Sequence, residues 1–369
     1  MRESDFKYIL SVLQGEDTKS KPTDWYSILG FLEFHRVAVY FYNRALELGI
    51  DLPEQIAKKL YESYDEQKMI CQKKSKYIEL ISSALEKSHV NYAFLKGSVL
   101  QDRNFQQLSN EYFSSRRYPQ HYKIYKQGER NSNDIDILVS QKNLFKIGEG
   151  LRGLGFQQGR YDYKSGKFIA FSRQEILTRR MNRGETAPYV LVTGDPLLPF
   201  VEVDLNFSLD NLPGGKEVDY FLQDTIILDG IRTLEQSKFF LHLLTHQDKE
   251  ISLFDMWCRN KNQSLYKFLD IYLFLWNGLV SYSELYNYCK DEKIRQICCR
   301  TITDTMSIFV SLNRRRGIID LLKDIDKPSV NTKIIDYSSR KIFVATEEIG
   351  KRYLHFEQKK FLKEVNKND

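Results

Sequence analysis

The stretch Asn133-Asp134-Ile135-Asp136-Ile137-Leu138-Val139 constrains this chain more than any other. Its alternation is that of a β-strand, so Asp134 and Asp136 share one face while Ile135 and Ile137 take the other. Two carboxylates held that close repel and need compensation from solvent or cations, and an oxygen-rich pair suits Mg²⁺. The strand is therefore either a metal platform or a half-buried strand with a wet acidic edge. The pattern alone leaves both readings open, so the rest of the chain has to decide.

Upstream, His89-Val90-Asn91-Tyr92-Ala93-Phe94-Leu95 is a short apolar run that reads as a strand. Lys96-Gly97-Ser98 follows at once, and a helix is expected from Val99. Glycine there lets backbone approach a ligand closely, and exposed N–H groups with the Ser98 hydroxyl can bond phosphate oxygens. Taken alone, a Gly-Ser pair is more often an ordinary turn. Downstream, Phe200-Val201-Glu202-Val203-Asp204-Leu205 alternates as a further strand, with Glu202 and Asp204 on one face. Between Ser98 and Asp134 the residues 102–133 show no periodicity and carry Arg103, Arg116, Arg117, Lys123, Lys126 and Arg130. They read as a long loop or insertion with enough cationic side chains to cover a triphosphate.

The remaining pattern is largely helical. Apolar residues recur at helical spacing from Asp5 to Leu48, and Pro53 and Glu54 open a helix that runs to about Lys87. Its Lys73, Lys74 and Lys76 face either phosphate or solvent. A helix over Gln141–Leu154 should stop at Gly155, and a hairpin should turn at Lys164-Ser165-Gly166-Lys167, with another strand at Tyr189–Val192. From Leu234 the periodicity predicts helices to the end. His242 and His246 stand at i and i+4, a spacing that suits either a zinc pair or packing, with no third ligand evident. Arg314-Arg315-Arg316 and the charged tail from Glu357 read as solvated surface.

Composition adds limits. The chain has 369 residues, 42% of them hydrophobic, which supports a proper core and two or three domains. Its net charge of +6 is compatible with an anionic ligand but falls short of a dedicated nucleic-acid binder. The five cysteines show no CxxC spacing, which argues against structural zinc and a disulfide framework. No stretch has the ~18 apolar residues of a membrane span, so a cytoplasmic chain with no membrane partner is expected.

Three signals thus occur in a fixed order: strand-Gly97-Ser98-helix, Asp134-Ile135-Asp136 on a strand, and Val203-Asp204-Leu205 on a later one. In this the chain resembles the nucleotidyltransferase superfamily that includes DNA polymerase beta, with its hG[GS], [DE]h[DE]h and h[DE]h pattern. It is similar, more closely, to a group of largely uncharacterised bacterial nucleotidyltransferases. That likeness rests on Phe94-Leu95-Lys96-Gly97-Ser98, on Arg130 to Val139, on Val201-Glu202-Val203-Asp204-Leu205, and on the helical segments 240–246 and 268–271. Asn206-Phe207 departs from it, standing where the group often shows His-Trp.

The resemblance implies an α+β fold: a small mixed β-sheet nucleotidyltransferase core over 91–230, an N-terminal helical segment over 1–90 and a C-terminal helical domain over 231–369. It implies a metal-dependent nucleotidyltransferase, with two Mg²⁺ held by Asp134, Asp136 and Asp204 and the NTP phosphates held by Lys96, Gly97, Ser98 and Arg130. Glu202 points the same way as Asp204, and the family motif favours Asp204. The partners implied are an NTP and an unidentified hydroxyl acceptor, whether small molecule, peptide or protein, with nucleic acid weakly supported. The alternative is a catalytically silent binding or regulatory module on the same fold, antitoxin-like or a biosynthetic accessory, motivated by the absence of any recognisable acceptor site.

Overall fold

In the computed structural model, residues 1–16, 21–108, 121–130, 132–209, 216–325 and 333–365 are described. They form two compact units, one of Tyr64–Phe105 with His121–Phe239 and one of Met1–Ser63, Gln106–Gln120 and Phe240–Asp369. The fold is mixed α+β, as expected, with helices toward both termini.

The first unit is built on an eight-stranded mixed sheet. In chain order the strands are β1 (Tyr92–Phe94), β2 (Asn104–Gln106), β3 (His121–Lys123), β4 (Asp134–Val139), β5 (Gln157–Asp162), β6 (Lys167–Ala170), β7 (Tyr189–Val192), β8 (Phe200–Asn206), β9 (Thr225–Leu228) and β10 (Ile231–Leu234). The sheet order is β6-β5-β7-β8-β4-β1-β10-β9, with β2 and β3 pairing separately. Central β4 runs parallel to β8 and antiparallel to β1. Ile135, Ile137, Leu138 and Val139 are fully buried, as a strand covered on both faces requires.

The expected helix after β4 is present as a 3₁₀ turn, Gln141–Asn143, leading into Leu144–Gly153, and Gly155 ends it at φ 90°. The expected hairpin is the β5–β6 pair. The long helix Glu54–Glu86 also matches its expected span. The 102–133 stretch is not wholly loop, because its two ends supply β2 and β3; residues 109–120 and 131 lie outside the described part, Arg116 and Arg117 among them.

The β9–β10 hairpin and the helices Arg173–Arg183 and Lys216–Phe221 were not anticipated from the sequence. The β9–β10 hairpin turns at Asp229-Gly230, whose φ values of 43° and 85° are those of an Asp-Gly hairpin turn. The helix Arg173–Arg183 starts from a capping box of Ser172 and Glu175. Its composition is too polar to show an apolar stripe.

The second unit packs the helices Glu3–Gln14, Trp25–Phe34, Ala38–Glu47, Leu265–Trp276 and Glu292–Ile308, with shorter ones between. Here one expectation fails: the chain is not helical to its end. β11 (Ile334–Asp336), β12 (Lys341–Ala345) and β13 (Leu362–Val365) form an antiparallel three-stranded sheet. Ile334 and Phe361 bury against Trp257, and Asp336 accepts from the Ser338 and Ser339 amides to close the β11–β12 turn. Long-range burial on Trp257 outweighed the local helical periodicity. No helix among the described residues is long and apolar enough to cross a membrane.

Candidate active site

The parallel register of β4 and β8 sets Asp136 opposite Asp204 and Asp134 opposite Glu202. One carboxylate oxygen from each of Asp134, Asp136 and Asp204 lies within 4.8 Å of the others. Asp136 is buried at 3% exposure and the other two are half-buried. Glu202 is outside this group, which is the one cluster of three or more metal-ligating side chains among the described residues. Asp136 Oδ1 accepts from Lys96 Nζ at 2.7 Å and from Asn206 Nδ2 at 3.1 Å, whereas its Oδ2 is buried without a partner. Ser132 donates its hydroxyl to Asp134 Oδ1 at 2.7 Å.

The turn after β1 brings Lys96, Gly97 and Ser98 to this cluster. Leu95 N–H donates to the Asp136 carbonyl at 3.0 Å, and the Thr233 hydroxyl donates to the Phe94 carbonyl at 2.8 Å, so the turn is anchored from both sides. Lys96 itself takes the unusual backbone, φ 48° and ψ −129°, which costs a side-chain-bearing residue roughly 1–3 kcal/mol. Gly97 is needed for a different reason: a Cβ there would overlap the Ser132 side chain. Its helix, Gly97–Leu100, is a single turn. Ser98 is buried and, with Gly97, Ser132, Asp134, Lys74 and Arg103, lines a small cleft.

The electrostatics separate the three acids. Burial pushes the Asp136 carboxyl up and Asp134 adds to this, against the pull of Lys96 and Asn206. Asp204 lies well above the usual carboxylate range, first from burial, then from Asp136, Asp134, Glu185 and Glu202. Burial would also raise Asp134, but the Lys96 ammonium, the Ser132 hydroxyl and Lys74 hold it below its ordinary value. Lys96 shows the converse. Burial disfavours its charge, yet Asp136, Asp134 and Asp204 raise its pKa. Such a cluster holds more negative charge than its own cations offset.

Lys73, Lys74 and Lys76 part company. Lys76 is exposed, Lys73 pairs with Asp195, and Lys74 is buried with Nζ donating to the Ser132 carbonyl. Of the other basic residues, Lys123 pairs with Asp102 at 2.7 Å and Arg103 donates to the Asp229 carbonyl. Arg130 is buried in the segment between β3 and β4. Sequence reasoning missed Lys74, Ser132, Glu185 and Asn206 as neighbours of the acids. Only Asn206 carried a signal, two residues beyond Asp204 on the same face of β8.

His242 and His246 stack along the helix Gln236–Ser252 with ring centroids 6.2 Å apart, and among the described residues no third ligand joins them. All five cysteines are free thiols.

Asp134, Asp136 and Asp204 fit a hard divalent cation. Every donor is a carboxylate oxygen, and the buried Asp136 Oδ2 lacks a donor of its own. Comparison with curated proteins and with solved structures gives no match. Residues 123–302, which contain all three acids though not Lys96, Gly97 or Ser98, match the model of a family described as uncharacterised nucleotidyltransferase.

Proposed function

We propose that the chain transfers a nucleoside monophosphate from an NTP to a hydroxyl acceptor, with Asp134, Asp136 and Asp204 holding two Mg²⁺ ions. The observation that carries this is the convergence of the three carboxylates within 4.8 Å on the face that also presents the Lys96-Gly97-Ser98 turn. Mg²⁺, when bound, neutralises and polarises the phosphoryl oxygens. The protein's own contribution is positioning. The Gly97 and Ser98 backbone and the Ser98 hydroxyl receive the distal phosphates, while Lys96 and Arg130 add positive charge. The acceptor oxygen bonds to the α-phosphorus, the bond from that phosphorus to the bridging oxygen breaks, pyrophosphate leaves with the electron pair, and the hydroxyl proton passes to solvent.

The test uses purified protein, Mg²⁺, candidate acceptors and NTPs labelled at either the α- or the γ-phosphate. Label should move to the acceptor from the α position alone, and Asp136→Asn should abolish the transfer. Transfer of γ-label, or undiminished activity in Asp136→Asn, would sink the assignment. A silent module on the same fold would instead bind a protein partner tightly and show no heat on titration with Mg·NTP.

A further inference from the structure

A second cavity lies on the opposite face of the same sheet. Asp204 and Val203 point to opposite sides of β8; Tyr189 pairs with Val203 and Gln158 pairs with Tyr189, so these three share the face away from the acids. The helix Leu144–Gly153 packs there so closely that a Cβ at Gly148 would overlap the Tyr189 hydroxyl. Beside this contact, between that helix and the helix Arg173–Arg183, is a cavity of 360 Å³.

Its lining is chemically one-sided. Lys142, Arg152 and Arg180 contribute to it, and among the described residues no carboxylate does. Arg152 is committed to Glu149 and to the Tyr189 hydroxyl. Lys142 meets Asp219 only at 3.5 Å, with both side chains exposed. Arg180 is exposed and makes no ion pair or hydrogen bond among the described residues. Phe145, 75% exposed, and Ile176 supply an apolar wall.

Thr186 is the informative residue. It lines the cavity and is 8% exposed, its N–H donates to the Leu205 carbonyl at 2.9 Å, and its hydroxyl is buried just behind the cavity wall with no partner among the described residues. A buried hydroxyl left unsatisfied costs roughly 1–3 kcal/mol, which a ligand oxygen accepting from it would recover. Small-molecule pockets occupy about 300–1,000 Å³, so this one suits a compact ligand.

We propose that this cavity binds a small organic anion, a phosphate or carboxylate group carried on an aromatic or branched aliphatic body. The anion is held by Arg180 and Lys142 and accepts the Thr186 hydroxyl's hydrogen bond, while the body rests on Phe145 and Ile176. Charge-assisted hydrogen bonds from a guanidinium supply most of the selectivity for an anion. The sheet separates this site from Asp134, Asp136 and Asp204, so the two bind independently.

Calorimetric titration of the full chain with phenyl phosphate, benzoate, inorganic phosphate and phenol tests this. Phenyl phosphate or benzoate should bind, and whichever binds shows which anion is preferred; phenol and inorganic phosphate should bind at least tenfold more weakly. Arg180→Glu should weaken binding at least tenfold and Thr186→Val several-fold, both at positions where the fold is not at stake. Saturating Mn²⁺ should leave affinity unchanged. The proposal is overturned if neither phenyl phosphate nor benzoate binds, if Arg180→Glu and Thr186→Val have no effect, if inorganic phosphate binds as tightly as phenyl phosphate, or if Mn²⁺ alters the affinity at least tenfold and so places the anion beside the acids.

Discussion

Lys96 Nζ lies 2.7 Å from Asp136 Oδ1, so the one fully buried acid of the cluster already has a cation on one oxygen and an unpartnered second oxygen. The ammonium opposes the burial that pushes the Asp136 carboxyl up, without saturating it. A divalent ion entering at Oδ2 meets a ready ligand but also a neighbouring positive charge. Lys96→Met should therefore tighten Mn²⁺ binding, by about tenfold for a loss of about 1.4 kcal/mol of repulsion. The same variant without metal should lose about 3 kcal/mol of stability, since it strands a buried carboxylate, and Mn²⁺ should restore it. Calorimetry and thermal melts measure both, and weaker Mn²⁺ binding in Lys96→Met would refute this role.

Gly97 and Ser132 should be coupled through space. Gly97→Ala places a Cβ where the Ser132 side chain lies, and overpacking of this kind costs roughly 1–3 kcal/mol. Adding Ser132→Gly should recover part of that loss. A double-mutant cycle on denaturant midpoints measures the interaction, and strict additivity would contradict the close approach.

Asp204 should set a pH dependence in the metal-free protein. Its folded-state carboxyl sits well above the ordinary value, so the folded chain holds a proton that the unfolded chain has lost. The associated stability is complete below the unfolded pKa and falls as pH rises toward the folded one. Asp204→Asn should flatten that fall, leaving the variant more stable than wild type at neutral pH while it binds metal poorly. Melts from pH 4 to 8 with chelator present test the sign, and a wild-type profile that instead rises with pH at this site would refute it.

His35 gives the opposite slope. It is buried against Phe31, Phe34 and Tyr353, its Nδ1 accepts from Leu265 N–H, and burial pushes its pKa down to about 3. The unfolded chain binds the proton first, so stability is complete above the unfolded pKa of about 6.5 and lost as pH falls toward the folded one. The limiting slope is about 1.4 kcal/mol per pH unit. His35→Phe should keep the ring packing and reduce the slope between pH 6.5 and 4.5 by about one proton; an unchanged slope would show that His35 is protonated in the folded state.

How much was legible follows from how local each signal is. The period-2 alternation of Asp134–Val139 and Phe200–Leu205 announced both strands and the shared face of their acids, because the pleat depends on nearest neighbours alone. Pairing Asp136 with Asp204 rather than with Glu202 is a matter of register, and register is settled between strands distant in sequence. Lys74 stood undistinguished among three lysines open to phosphate or solvent for the same reason. Only the arrival of Ser132 from another segment tells it apart from Lys73 and Lys76. The terminal sheet β11–β13 was misread because its strands are short and its core residue, Trp257, lies far upstream. The β9–β10 hairpin did carry an Asp-Gly signal in its sequence, and that signal went unused.

The central claim is that Asp134, Asp136 and Asp204 form the metal site on which NTP binding depends. Mn²⁺ titration of wild type and Asp136→Asn, followed by a non-hydrolysable NTP analogue, measures it directly. Wild type should bind Mn²⁺, should bind the analogue only when Mn²⁺ is present, and should lose both at least a hundredfold in Asp136→Asn. No Mn²⁺ binding by wild type, or equal binding by the variant, would contradict the account.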